Sequence, residues 1–259
     1  MSKLENVLVS LNSLSRPACG AARPVSMLVV TLVYLVAVLS VPLYAPQQLV
    51  WLGVYPVVQS EMSGIGYRRV FVKSLWVLPL IVLIGMFNPI LDTGEAFRVG
   101  DVAVSRGWVS FLSILLRGLF AVQAVVILTL SVGFYDMCAS LRRIGCPRVL
   151  VTQLQFTYRY LMVVIEEAIG MDRARKARGF GRESYPLRMW GRLVGQLMIR
   201  SYERASRIHR AMLARGFNGT MPSSGAVDGS GVSWLFMIGW IVVIVALRLF
   251  DVSQLLVYV

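Results

Sequence analysis

Between Asp136 and Thr220 the chain has no long apolar run, and this one block holds sixteen of its 26 lysines and arginines. On either side the sequence is dominated by apolar stretches that only lipid or a large core can accept. Val25–Tyr44 (VSMLVVTLVYLVAVLSVPLY) and Trp108–Val132 are each about long enough to cross the hydrocarbon layer of a bilayer. A chain of 259 residues that is 57% hydrophobic and 15% charged departs from soluble domains in both respects. The expected fold class is therefore an all-α polytopic membrane protein. The net charge of +13 could suggest nucleic acid, but its confinement to one block between apolar runs reads instead as a cytoplasmic region under the positive-inside rule.

Five spans are the simplest arrangement. Besides Val25–Tyr44 and Trp108–Val132 they are Leu49–Val58 (short, with Gly53 and Pro56, a tilted or broken span extending to about Glu61), Val70–Ile90 and Trp234–Phe250. Residues 1–135 then form a transmembrane region of about four spans, 136–220 a cytoplasmic region, 221–231 a Ser/Gly-rich linker and 232–259 the final span. This places the N-terminus and the basic block in the cytoplasm and the C-terminus outside, with Lys3, Arg16, Arg23, Arg68, Arg69 and Lys73 all on the inner side. Asp92–Arg106, where Val102 and Val104 alternate with other residues, reads as an external loop or hairpin. Arg117, inside a span, should face protein, a cavity or the interface rather than lipid.

The cytoplasmic block carries the most specific pattern. Arg173-Ala174-Arg175-Lys176-Ala177-Arg178-Gly179-Phe180 returns 37 residues later as Arg210-Ala211-Met212-Leu213-Ala214-Arg215-Gly216-Phe217. Each copy ends a long helix-like segment, one from Arg148 to Arg178 and a second starting near Pro186. Small alanines let another surface approach closely, and glycine is the natural residue to end a helix in a left-handed cap. Arg178 and Arg215 are then held at the helix ends as rigid forks suited to a carboxylate partner. Arg-Gly endings are also ordinary helix stops; the matched pair argues for two equivalent sockets. Leu150, Leu154, Tyr158, Leu161, Ile165, Ala168 and Met171 form the apolar stripe of the first helix. Leu187, Trp190, Val194, Leu197, Ser201, Ala205, Ile208 and Met212 form that of the second.

No catalytic set emerges, and no cofactor or metal site is expected. There is no Gly-x-x-x-x-Gly-Lys-Ser/Thr phosphate loop. His209, the single histidine, lies in an arginine-rich helix as a surface or packing residue, and Cys19, Cys138 and Cys146 form no disulfide framework. Asp92 and Glu95 read as a solvated loop. Adjacent Glu166 and Glu167 cannot face each other, and four-apart pairing with Arg-rich neighbours is expected instead. Tyr158-Arg159-Tyr160 reads as a packing cluster. Glu166-Glu167-Ala168 does not continue into the loop of conventional ABC importer permeases, because the glycine and Ile-x-Leu-Pro that should follow are absent. No cleavable signal peptide is expected ahead of the first span.

From about Phe87 to Gly219 the chain resembles the transmembrane T component (EcfT/CbiQ family) of energy-coupling factor ABC transporters, most closely the cobalt-type CbiQ branch. The resemblance rests on Phe87-Asn88-Pro89, on Leu141-Arg142-Arg143-Ile144-Gly145-Cys146-Pro147, and on Thr157-Tyr158-Arg159-Tyr160. It culminates in Arg200-Ser201-Tyr202-Glu203-Arg204-Ala205 and the two Ala-Arg-Gly signatures. It departs at Arg16-Pro17 and Arg23-Pro24, which stand in place of an Asp-Pro-Arg-x-Lys approach to the first span. The resemblance implies a multi-pass inner-membrane scaffold with two long crossed cytoplasmic coupling helices. Ala177, Arg178, Gly179, Ala214, Arg215 and Gly216 would dock two cytoplasmic ABC ATPases, and a membrane substrate-binding (S) subunit would carry cobalt or another transition-metal ion. It implies no enzyme activity of its own and no nucleic-acid partner. The rivals are a conventional permease with its own pathway lined by Arg117 and Gln123, and a membrane-anchored adaptor using the basic block as an electrostatic surface.

Overall fold

The computed structural model describes residues 24–43, 46–91, 95–99, 102–179, 187–219 and 231–249. The expected roles of Arg16-Pro17, Arg23, Cys19 and Asp92, most of the linker and the extension of the last span past Leu249 lie outside these residues. By their contacts the described residues form two compact units, 24–137 with 231–249, and 138–219.

In the first unit apolar sequence becomes helix wherever proline permits. α1 (Pro24–Ser40) begins on a proline, whose missing N–H costs nothing at that position. α2 (Pro46–Leu52) and α3 (Val54–Met62) meet at Gly53. α4 (Tyr67–Leu75), α5 (Leu78–Gly85) and α6 (Asn88–Leu91) follow. The expected continuous span Val70–Ile90 is thus corrected to helical pieces, and the reason is visible in the sequence. A proline ring clashes with the carbonyl four residues back. Pro56, Pro79 and Pro89 place that carbonyl on Leu52, Leu75 and Gly85, the last residues of α2, α4 and α5. Each proline then sits in the first turn of the next helix.

The expected hairpin is present: β1 (Glu95–Val99) pairs antiparallel with β2 (Val102–Ser105). The described chain is therefore mostly, not purely, helical. α7 (Arg106–Ser131) is the one described helix long and apolar enough to cross a membrane by length and composition; α1 and Trp234–Arg248 are shorter apolar helices. α7 packs against each of α1 to α6, and α11 (Gly231–Leu249) closes over α1 and α2. Among the described residues, the expected spans at Leu49–Val58 and Val70–Ile90 are each built from helical pieces rather than from one helix.

The core of this unit gathers Val30, Tyr34, Val38, Leu49, Leu52, Tyr55, Ala124 and Ile244. Tyr34 stacks on Tyr55 with centroids 4.2 Å apart, and Trp240 meets Tyr55 edge-on at 4.9 Å. Their hydroxyls are not stranded: Tyr34 donates to the Leu52 carbonyl at 3.0 Å, and the Tyr55 hydroxyl lies 3.3 Å from that of Thr31. Helices approach closely because glycine leaves room. A Cβ on Gly53 would lie 2.7 Å from Phe120 of α7, one on Gly85 2.9 Å from Phe111, and one on Gly118 2.9 Å from Ile81. Large apolar side chains such as Val36, Leu39, Leu83, Ile84 and Trp234 remain exposed, as a surface meeting lipid requires.

Arg117 meets the expectation of facing protein, its Nη2 donating to the Val41 carbonyl just past α1. Gln123 is fully buried, its Nε2 3.3 Å from the Tyr67 hydroxyl. Both residues named for a substrate pathway thus hold helices together.

Candidate coupling interface

The second unit holds two long helices. α8 (Phe134–Ile144), within which the boundary between units falls, ends at Gly145 with φ 110°, and Cys146 N–H reaches back to the Leu141 carbonyl at 3.1 Å. Pro147 turns the chain, and α9 (Arg148–Arg178) runs for 31 residues, about 46 Å at the α-helical rise. Both ends match the sequence expectation. α10 (Leu187–Ala214) starts immediately after Pro186, as expected, and runs for 28 residues.

The two helices are antiparallel. Along α9, Phe156, Glu167 and Arg175 meet Phe217, Arg204 and Met189 in that order, so one sequence rises as the other falls. Phe156 and Phe217 rings lie 6.0 Å apart, and the Arg175 guanidinium approaches the Met189 sulfur at 3.6 Å. The middle connection is ionic. Arg204 Nη2 donates to Glu167 Oε2 at 2.8 Å, and Arg200 Nη1 stands 3.9 Å from Glu167 Oε1. The expected four-apart pairing of Glu167 along its own helix is therefore corrected to a bridge between helices. An in-register partner does exist one turn further on, where Lys176 pairs with Asp172 at 2.8 Å.

On either side of the bridge the helices stand apart. One cleft of about 510 Å³ is lined by Thr152, Gln153, Phe156, His209, Met212 and Phe217 among others. A second, of about 640 Å³, is lined by Glu166, Met171, Arg178, Leu193 and Arg200 among others. The apolar stripes do not zip together. Leu150, Leu154, Leu161, Trp190 and Val194 are exposed, whereas Val151, Thr152, Tyr158 and Ile169 are the buried positions of α9. Periodicity located an apolar face correctly at Tyr158, but a helix pair held by side-chain bridges leaves Leu150, Leu154 and Leu161 of that face uncovered. His209 is exposed at the cleft rim, in keeping with a surface role.

Antiparallel packing sends the two Ala-Arg-Gly signatures to opposite ends of the pair. The end of α10 lies level with Phe156, and Arg178 is 22 residues further along α9, about 33 Å away. Ala177, Arg178, Ala214 and Arg215 are all exposed. The two endings differ in backbone. Gly216 adopts φ 80°, with Phe217 N–H on the Met212 carbonyl at 3.0 Å and Gly216 N–H on that of Leu213 at 3.0 Å, the two bonds of a Schellman cap. Gly179 stays right-handed at φ −88°, ψ 0°, with its N–H on the Lys176 carbonyl at 3.2 Å. The left-handed cap expected at both is formed at one. Arg178 is the last helical residue of α9, and Arg215 follows the last of α10, each where a cation complements the helix dipole. Sequence reading missed the Glu167 bridge; its only sequence trace is that Glu167 and Arg204 stand 37 residues apart, the spacing of the repeat.

The sequence profile of the CbiQ family, described as cobalt transport protein, matches residues 10–224. The chain belongs to that family. It is similar to the nickel permease LarQ of Lactiplantibacillus plantarum, 30% identical over 43% of this chain and 44% of the relative. It is also similar to the cobalt transport proteins CbiQ of Rhodobacter capsulatus (32% identical, 33% of this chain, 36% of the relative) and Salmonella typhimurium (34%, 32% and 38%). The matched stretch spans less than half of each. A CbiQ-family chain is an integral membrane transport component rather than an enzyme.

Proposed function

We propose that this chain is the coupling subunit of an energy-coupling factor importer, passing ATP-driven motion of two cytoplasmic ATPases to a membrane substrate-binding subunit. The observation that carries this reading is the placement of two matching Arg-ended tips, both exposed, at opposite ends of one bridged helix pair. Two tips about 33 Å apart suit two separate and equivalent sockets, one on each ATPase. Ala177 and Ala214 allow close approach, and Arg178 and Arg215 supply planar donors for a carboxylate. Closure of the ATPase pair on ATP would move both sockets, and the clefts on each side of the Glu167 bridge leave α9 and α10 room to change their angle. The exposed Leu150, Leu154, Leu161 and Val194 offer apolar area to the substrate subunit. The relatives named for cobalt and nickel support a transition-metal ion as cargo. The cytoplasm is the proposed side for the N-terminus and for 136–220.

Replacing Arg178 or Arg215 by Ala should leave membrane insertion intact and weaken assembly with the ATPases. A charge-assisted hydrogen bond contributes roughly 1.5–3 kcal/mol, so each loss should weaken binding by about tenfold to a hundredfold. The tips bind as one bivalent unit, so the double variant should be worse than either single one. Lys should restore assembly only in part. Assembly and transport like wild type in both Ala variants would reduce the tips to ordinary helix ends.

A further inference from the structure

Two guanidinium groups converge on the C-terminal end of α1. Arg117, from the middle of α7, donates through Nη2 to the Val41 carbonyl, and Arg248, from the last turn of α11, donates through Nη2 to the Ser40 carbonyl at 3.0 Å and through Nη1 to Gln48 Oε1 at 3.0 Å. The acceptors are the carbonyls of consecutive residues, so both cationic heads are held at one helix end although they come from different helices. Pro42 ends α1 there and leaves its last carbonyls without helical partners.

Capping accounts for the hydrogen bonds and not for the charge. A helix C-terminus offers the equivalent of about half a negative charge, and two full positive charges face it. Among the described residues neither arginine is ion-paired with a carboxylate. Arg117 Nε is sealed from solvent, so an external anion can reach Arg117 only through its terminal nitrogens. An uncompensated guanidinium at an apolar surface is costly. The Arg248–Ser40 contact is on the exposed side of the bundle, within reach of an external anion. The two helices that supply its acceptors also carry exposed apolar side chains: Val36 (67%) and Leu39 (61%) on α1, and Val50 (60%) and Trp51 on α2. A free inorganic anion would gain nothing from these side chains; an amphiphile would use both parts.

We propose that Arg117 and Arg248 bind the phosphate of one anionic phospholipid, whose acyl chains lie along Val36, Leu39 and Val50. The lipid would tie α1, α7 and α11 together at one end of the bundle by neutralising the charge that their packing concentrates there.

The test is native mass spectrometry of the full-length protein released from nanodiscs of equal phosphatidylglycerol and phosphatidylcholine. The wild type should retain one phosphatidylglycerol in preference to phosphatidylcholine. In R117Q/R248Q, which keeps amide donors for the carbonyls and removes both charges, that preference should fall by about tenfold or more. R117K/R248K should keep part of it. Should the double Gln variant fail to fold, R248Q alone, at the end of its helix, carries the test. Equal retention of the two lipids by wild type, or undiminished preference in the Gln variants, would overturn the proposal. Displacement of the bound lipid by millimolar inorganic phosphate would assign the arginines to a free anion and overturn the lipid assignment.

Discussion

Glu167 on α9 accepts a 2.8 Å hydrogen bond from Arg204 on α10, the place among the described residues where these two helices are joined by opposite charges. Glu167 is 15% exposed, whereas Arg204 and Arg200 are about half exposed. Solvent therefore screens the pair, and a coupling energy of about 1 kcal/mol, well below that of a buried bridge, is the reasonable expectation.

The mechanical effect should exceed the energetic one. With spin labels at the exposed positions Arg159 and Met198, the wild type should give one narrow interhelical distance distribution. E167Q should broaden it, and R204Q should add little to E167Q because the same bridge is already lost. Additive broadening, or none, would show that the bridge does not set the helix angle.

The two glycine endings should respond differently to the same change. Gly216 sits at φ 80°, which an alanine adopts at a cost of about 1 kcal/mol, so Gly216→Ala should loosen the Schellman cap and fray the end of α10. Gly179 sits at φ −88°, which alanine adopts freely, so Gly179→Ala should leave the end of α9 intact. Amide hydrogen exchange across residues 210–217 and 173–179 measures both. Equal protection loss at the two ends would mean that the cap geometry is not what distinguishes them.

Close packing between α2, α3 and α7 depends on a missing methyl group. Gly53→Ala would place a Cβ 2.7 Å from Phe120 Cζ and 3.0 Å from the Val50 carbonyl oxygen, so the ring must move out of the core it packs against. A destabilisation of about 1–3 kcal/mol is expected from such overpacking, read as a lower midpoint in detergent unfolding. Phe120→Leu in the same chain should recover part of the loss. Failure of that second change to rescue would place the strain on the Val50 carbonyl instead.

The helix limits in this protein are largely local and were there to be read. Pro147 and Gly179 bound α9, Pro186 precedes α10, and the repeat marks both tips. The breaks at Leu52, Leu75 and Gly85 were equally determined, because Pro56, Pro79 and Pro89 act on the carbonyl four residues back; reading Val70–Ile90 by hydropathy alone overlooked a steric rule that hydropathy does not contain. The hairpin at residues 95–105 was legible from its alternation. The apolar stripe of α9 was legible only as a face, since periodicity says which residues share a side and not whether anything covers it.

Tertiary structure decided what depends on residues far apart in the chain. That Glu167 bridges to Arg204 rather than to its own helix follows from the antiparallel approach of α9 and α10, which no spacing within either helix encodes. The same approach sends Arg178 and Arg215 to opposite ends, turning a sequence repeat into two separated tips. Arg117 and Arg248 meet at Ser40 and Val41 because three helices end or cross there, and Phe120 finds Gly53 because α7 runs through the middle of its unit. Proline clashes, glycine caps and turn-by-turn pairs act within about one helical turn and so belong to the sequence. Which distant side chains share a bridge, a hole or a charge is set by packing of the whole unit, and that belongs to the fold.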